Sequence, residues 1–252
     1  MFSTFANPHR FMALSKWLLP VFAGLGIVML ATGWIWAIFF VPEEQYQGAT
    51  ARIMYIHVPA AMVSMAAYAT MAVGSLLYLT LKHTLADVAA KSAAPTAAAL
   101  SFICLITGAL WGRPTWGTYW VWDARLTSML FQLFLILGYM ALRSAFQREQ
   151  DAARAGAILC LVGAVNLPII KFSVDWWSSL HQPASVIRFD GPTIHSSQLW
   201  PLAIMALAYT MLAAWLVFYR LRSRAVIQRA RQIERRKLQA ARAAQSTQGS
   251  GA

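Results

Sequence analysis

Six apolar stretches, each of a length that crosses a bilayer, decide most of what this chain of 252 residues can fold into. They fall at about 17–40, 54–81, 93–110, 127–145, 155–171 and 198–219. A hydrocarbon core about 30 Å thick needs roughly 20 apolar residues per helical crossing. Only helices and closed barrels satisfy their backbone polar groups inside it. With 59% hydrophobic and 12% charged residues, the chain is more apolar than a soluble domain. The expectation is an all-α integral membrane protein with six transmembrane helices. Pro168 lies inside the short fifth stretch and predicts a kink or an early helix end there.

Charge sets the expected orientation. The terminal segments and the loops after spans two and four hold 16 of the 21 Lys and Arg, and the other three loops hold five. Lysine and arginine accumulate on the cytoplasmic side of membrane proteins, so both termini should be cytoplasmic. The segments 41–53, 111–126 and 172–197 should then face outward. The net charge of +12 comes largely from one run, Arg220 to Arg242. A basic cluster directly after a span fixes orientation and meets anionic lipid, and no nucleic-acid module accompanies it. The domain reading is a six-helix unit over 1–222 and a basic cytoplasmic tail over 223–252, whose end, RAAQSTQGSGA, has a composition that favours disorder. The first apolar run is too long for a signal peptide and reads as a retained first helix.

Chemistry concentrates on the expected outer side. WGRPTWGTYWVWDARLT, from Trp111, holds Trp116, Tyr119, Trp120 and Trp122 beside Gly112, Gly117, Pro114, Arg113, Asp123 and Arg125. Tryptophan and tyrosine taken singly serve as interfacial anchors at any helix end. Clustered with turn residues and charges, flat indoles offer a large apolar face for a planar macrocycle, and arginines can pair with carboxylates. His57 stands in IHVPAA at the outer end of span two, and His181 follows Asp175, Trp176 and Trp177 in the third outer segment. A lone membrane histidine is usually a core or interfacial residue, but two from separate segments can also bind one haem iron from opposite faces. His195 has no aromatic pair beside it and ranks lower. Cys104 and Cys160 form no CxxC, so any haem is held without thioether bonds.

Three other classes fit less well. A quinone-linked b-type cytochrome usually carries histidine pairs inside its spans, which these lack. A membrane glycosyltransferase with a WWD-type tripeptide needs an acidic motif in the first outer loop, where only Glu43 and Glu44 stand, and a large extramembrane domain. A pure scaffold would use the aromatics only as anchors.

WGRPTWGTYWVWDARLT, together with IHVPAA, NLPIIKFSVDWWSSLHQ and the six-span layout, resembles the haem exporter protein C family of bacterial cytochrome c maturation over nearly the whole chain. The resemblance implies a multi-pass protein of the bacterial inner membrane with its functional loops in the periplasm. It implies non-covalent haem b, with His57 and His181 on the iron and Trp116 to Asp123 as the platform. The expected partners are the periplasmic haem chaperone (the E protein of the maturation system), the ABC transporter formed by the A and B proteins, the small D protein and membrane lipid, with no nucleic acid. It implies no hydrolytic or redox active site, only assistance in attaching haem covalently to the chaperone. The middles of the spans read as almost wholly apolar, which favours presentation of haem at the outer surface over passage through this chain.

Overall fold

A computed structural model describes residues 8–249 apart from 184, 187 and 189. The described residues form seven α-helices and one short 3₁₀ turn, and none is in a strand. The helices are α1 (Pro8–Phe39), α2 (Met54–Leu81), α3 (Thr84–Trp116), α4 (Ala124–Ala145), α5 (Glu149–Ala164), α6 (Asn166–Trp176) and α7 (Ser196–Gly249), with the 3₁₀ turn at Ala49–Ile53. Six crossings result, because α5 and α6 together make one apolar segment. The protein is a multi-pass membrane protein.

The interruption between α5 and α6 falls where Pro168 predicts it. Proline has no N–H to give the carbonyl four residues earlier, here Ala164, the last residue of α5. Other boundaries follow local caps. Lys82 ends α2 in the left-handed conformation (φ 53°), and the His83 side chain accepts from the Ala86 amide to start α3. α7 continues the basic run as helix to Gly249, through an Ala- and Gln-rich composition that supports helix. The stretch read as disordered, RAAQSTQGSGA, is helical as far as Gly249, and its last three residues, like residues 1–7, lie outside the described ones.

Packing is most extensive between α2 and α3 and between α1 and α7. Small residues let backbones approach inside a membrane, and the AAKSAAPTAAAL stretch of α3 does this. Ala90, Ala93, Ala94 and Ala97 are buried against Ala67, Tyr68 and Met71 of α2. Gly74 is required at this contact, since a Cβ there would lie 2.7 Å from the Ala86 carbonyl oxygen.

The spans are less apolar inside than their composition suggests. Ser128, Gln132, Tyr139 and Arg143 are all buried and share one face of α4. Asn166 donates to the Ser128 carbonyl (2.9 Å) and to Gln132 Oε1 (3.1 Å). Arg143 makes a two-pronged bond to Asp87 of α3. The Gln132–Asn166 contact qualifies the reading of almost wholly apolar span centres, and the Arg143–Asp87 pair lies near the span ends. Polar residues spaced three or four positions apart vanish in a hydropathy average yet fall on one helix face, here in two groups either side of Ile136.

Candidate functional site

The start of α2, the ends of α3 and α6, and the starts of α4 and α7 meet at one end of the bundle. The tryptophan-rich segment, expected as a loop over 111–126, is helical as far as Trp116. Gly117, with φ 78°, caps α3 by donating its N–H to the Arg113 carbonyl, and the Arg113 guanidinium binds the Gly117 carbonyl in return. Trp111 and Trp116 therefore project from a rigid helix, and only 117–123 is a loop. Gly112 leaves room for the Trp116 ring, which would lie 3.0 Å from a Cβ placed there.

His57 and His181 are brought together. Their ring centres are 6.3 Å apart and tilted by 35°. Trp111 meets the His57 ring edge-on at 5.8 Å, and Trp116 lies 6.2 Å from the His181 ring. The Trp111 indole N–H donates to Gln47 Oε1 (2.7 Å), which ties this wall to the 41–53 segment. Nδ1 of His57 lies 3.0 Å from the Cys104 carbonyl oxygen and 3.2 Å from Thr107 Oγ1. Nδ1 of His181 lies 3.1 Å from the Gln182 carbonyl oxygen and 3.2 Å from an Arg125 nitrogen. Burial lowers the pKa of His181, the Gln182 carbonyl opposes that shift, and the nearby Arg125 charge adds to it.

Asp123 and Arg125 hold the loop that carries His181. Asp123 caps α4 by accepting from the Leu126 amide (2.8 Å) and also accepts from the Ser179 hydroxyl. That hydroxyl in turn accepts from the His181 amide (3.0 Å). Arg125 donates to the Lys171 carbonyl (3.1 Å) and to Ser173 Oγ (3.3 Å).

The remaining aromatics stand apart from the histidines. Trp120 and Trp122 pair edge-to-face at 5.5 Å, and Trp122 is 78% exposed. Tyr119 lies under the Arg113 guanidinium. Trp176 stacks on Phe172 and meets Trp177 edge-on. Between 121–123 and 178–180 runs an open groove of about 380 Å³ with Trp122 in its wall. His195 bonds Ser197 at the start of α7, away from the pair. Among the described residues no three His, Cys, Asp or Glu side chains cluster as a metal centre would require.

Cys104, Thr107, Gly108, Ser173 and Ser179 escaped sequence reasoning. The one signal available for three of them was helical spacing, since Cys104, Thr107 and Gly108 share a face with Trp111.

Fold and site define a six-span membrane protein that gathers two imidazoles and an aromatic wall at one end of its bundle. The chain belongs to the family described as heme exporter protein C, whose model matches residues 1–237. It is 50% identical over 243 residues to the heme exporter protein C of Bradyrhizobium diazoefficiens, covering 96% of this chain and 91% of that one. The Escherichia coli K12 protein of the same name is 43% identical over 218 residues, covering 86% and 88%. A mitochondrial protein of Marchantia polymorpha, named for cytochrome c biosynthesis, is 38% identical over 227 residues, covering 90% and 96%.

Proposed function

We propose that this protein binds haem non-covalently at the histidine end of its bundle, on the periplasmic face of the bacterial inner membrane. There it presents the macrocycle to the periplasmic haem chaperone, the E protein of the same system, for cytochrome c maturation. The ABC transporter formed by the A and B proteins and the small D protein complete the assembly. The names of the relatives, heme exporter and cytochrome c biosynthesis, support the cargo and the pathway.

The observation that carries this reading is the imidazole pair. Imidazole nitrogens bind metals at about 2 Å, and the two ring centres, 6.3 Å apart, are close enough that both residues would hold one iron. In both rings a carbonyl oxygen lies within hydrogen-bond reach of Nδ1, and each ring protonated there offers Nε2 to iron. A ligating histidine usually has its other nitrogen held in this way. The donor set therefore fits haem b. Cys104 and Cys160 are buried and distant from any CxxC pattern, in keeping with non-covalent attachment.

Within that reading, His57 and His181 hold the iron, and Trp111 and Trp116 flank the imidazoles. Trp122 lines the groove, and Tyr119, Trp120, Trp176 and Trp177 add apolar surface on the adjoining segments 117–123 and 172–177. Asp123 and Arg125 fix the loop that brings His181 into place. Bound haem supplies the reactive vinyl edge. The chain's contribution is orientation, which raises rate through proximity without acid–base chemistry. The pair sits at the bundle's end, where a soluble partner can reach the cargo.

The test is an absorption and pyridine haemochrome spectrum of the purified protein. Non-covalent b-type haem is expected, with an altered spectrum and lower chaperone loading in His57→Ala and His181→Ala. Haem missing from every preparation, or unchanged spectra in both variants, would reject the assignment.

A further inference from the structure

The two imidazoles have different surroundings, and this difference goes beyond the proposal that both bind iron, on which it rests. His57 packs against a single face of α3. Cys104, Thr107, Gly108 and Trp111 occupy positions i, i+3, i+4 and i+7 of that helix and enclose the ring on one side. Gly108 is the floor of this cradle, because a Cβ there would lie 2.9 Å from His57 Cε1 and 3.3 Å from Nδ1. Any side chain at that position would push the ring away from α3.

The cradle also determines where the proton sits. The Cys104 carbonyl, 3.0 Å from Nδ1, can only accept. The Thr107 hydroxyl, 3.2 Å from Nδ1, gives its own proton to the Ile103 carbonyl at 2.7 Å. With its proton engaged there, it accepts from the ring. The Cys104 thiol, 3.9 Å away, is a weak donor. With acceptors as its strong neighbours, Nδ1 must carry the hydrogen, and Nε2 keeps the lone pair that a metal needs.

His181 lacks this restriction. Its Nδ1 lies between an Arg125 nitrogen, which can only donate, and the Gln182 carbonyl, which can only accept. Donation from Arg125 places the ring proton on Nε2 and removes that nitrogen as a ligand. Donation from Nδ1 to Gln182 frees Nε2, and Arg125 keeps its bonds to Lys171 and Ser173 in either case. The His181 backbone stands on a loop residue, Ser179, and not on a helix. One proton position competes with iron and the other permits it.

We infer that His57 would be a preset iron ligand, positioned by Thr107 and Gly108, and that His181 would be the exchangeable one: its Nε2–iron bond breaks, Nδ1 gives its proton to water while Nε2 takes one from water, and the bared Nδ1 accepts from Arg125. A bis-imidazole site that must give up its cargo needs one bond that can be broken locally. The structure gives that property to the loop histidine.

The experiment is nitrogen NMR of the haem-free, full-length protein with labelled histidine, assigned with single-histidine replacements. The ring-nitrogen shifts should show His57 with Nδ1 protonated only and His181 as a mixture of both neutral forms. Thr107→Ser should retain the His57 signature. Gly108→Ala should change it to a mixture while the protein remains monodisperse in detergent. Gly108→Ala loaded with haem should show a displaced absorption band, whereas Thr107→Ser should match the parent. A His57 ring protonated on Nε2, or a His181 ring fixed in one form, would overturn the inference and leave ligation itself to be judged by the alanine spectra. Unchanged spectra in both alanine variants would instead sink the ligation reading and this inference with it.

Discussion

Asp123 shows how a residue of an expected ligand-binding segment can act one step away from the ligand. Its carboxylate is engaged with the Leu126 amide and the Ser179 hydroxyl, so it organises the His181 loop. Replacing an N-cap aspartate with alanine costs about 1 kcal/mol. Asparagine caps nearly as well and can still accept from Ser179. Asp123→Ala should therefore lower thermal stability and disturb the haem spectrum, and Asp123→Asn should do neither to a comparable extent. Equal damage from both would point to a need for the negative charge itself.

The acid sensitivity of the site follows from the lowered pKa of His181. A histidine whose folded pKa is depressed contributes fully to stability above its ordinary value of 6.5, and that contribution is lost as pH falls from there through the lower folded value. The neutral, ligand-competent imidazole thus persists below pH 6.5. A histidine NMR titration of the haem-free protein should place the His181 midpoint below that value, and a midpoint at 6.5 would contradict it. The residues legible in the sequence were those whose type is unusual for a membrane: histidine, clustered tryptophan, arginine. Thr107 and Gly108 are ordinary in a span, and their role comes from the approach of α2 to α3, which a linear pattern does not encode.

At the scale of elements, α4 carries more function than its hydropathy suggests. Two polar groups stand on it: Arg125 and Ser128 with Gln132 and its partner Asn166 towards the histidine end, and Arg143 with its partner Asp87 at the far end, with Ile136 between them. Gly156 accommodates the Arg143 stem, since a Cβ there would lie 2.8 Å from Cδ. Removing one partner of a buried ion pair leaves an uncompensated charge and costs about 3–5 kcal/mol, whereas replacing both with apolar residues is often near neutral. Arg143→Met and Asp87→Leu should each be strongly destabilising in detergent unfolding, and the double variant should recover most of the loss. Additive losses would show that the two residues act separately. Sequence reading placed all six crossings and the Pro168 interruption because length and proline act locally. It missed the buried ion pair of α4 because Asp87 and Arg143 stand 56 positions apart, and only packing of α3 on α4 pairs them.

For the whole molecule, the decisive question is which side of the membrane the histidine end faces, and the distribution of basic residues makes a definite prediction. Short loops rich in Lys and Arg stay in the cytoplasm, so the end holding His57, Trp122 and His181 should face the periplasm, with Arg148 and the α7 tail opposite. The two native cysteines are buried, Cys104 at 5% and Cys160 at 1% exposure, so they should react slowly with a bulky maleimide and give a low background. Tyr46 is 92% exposed on the segment joining α1 to α2, and the Arg148 side chain is 79% exposed between α4 and α5. In intact spheroplasts of a bacterium expressing each variant, Tyr46→Cys should label with a membrane-impermeant maleimide. Arg148→Cys should label only after the membrane is permeabilised. The reverse pattern would place the imidazole pair on the cytoplasmic side, where a periplasmic chaperone could not reach it. Presentation at the outer surface would then be untenable even if both histidines bound haem.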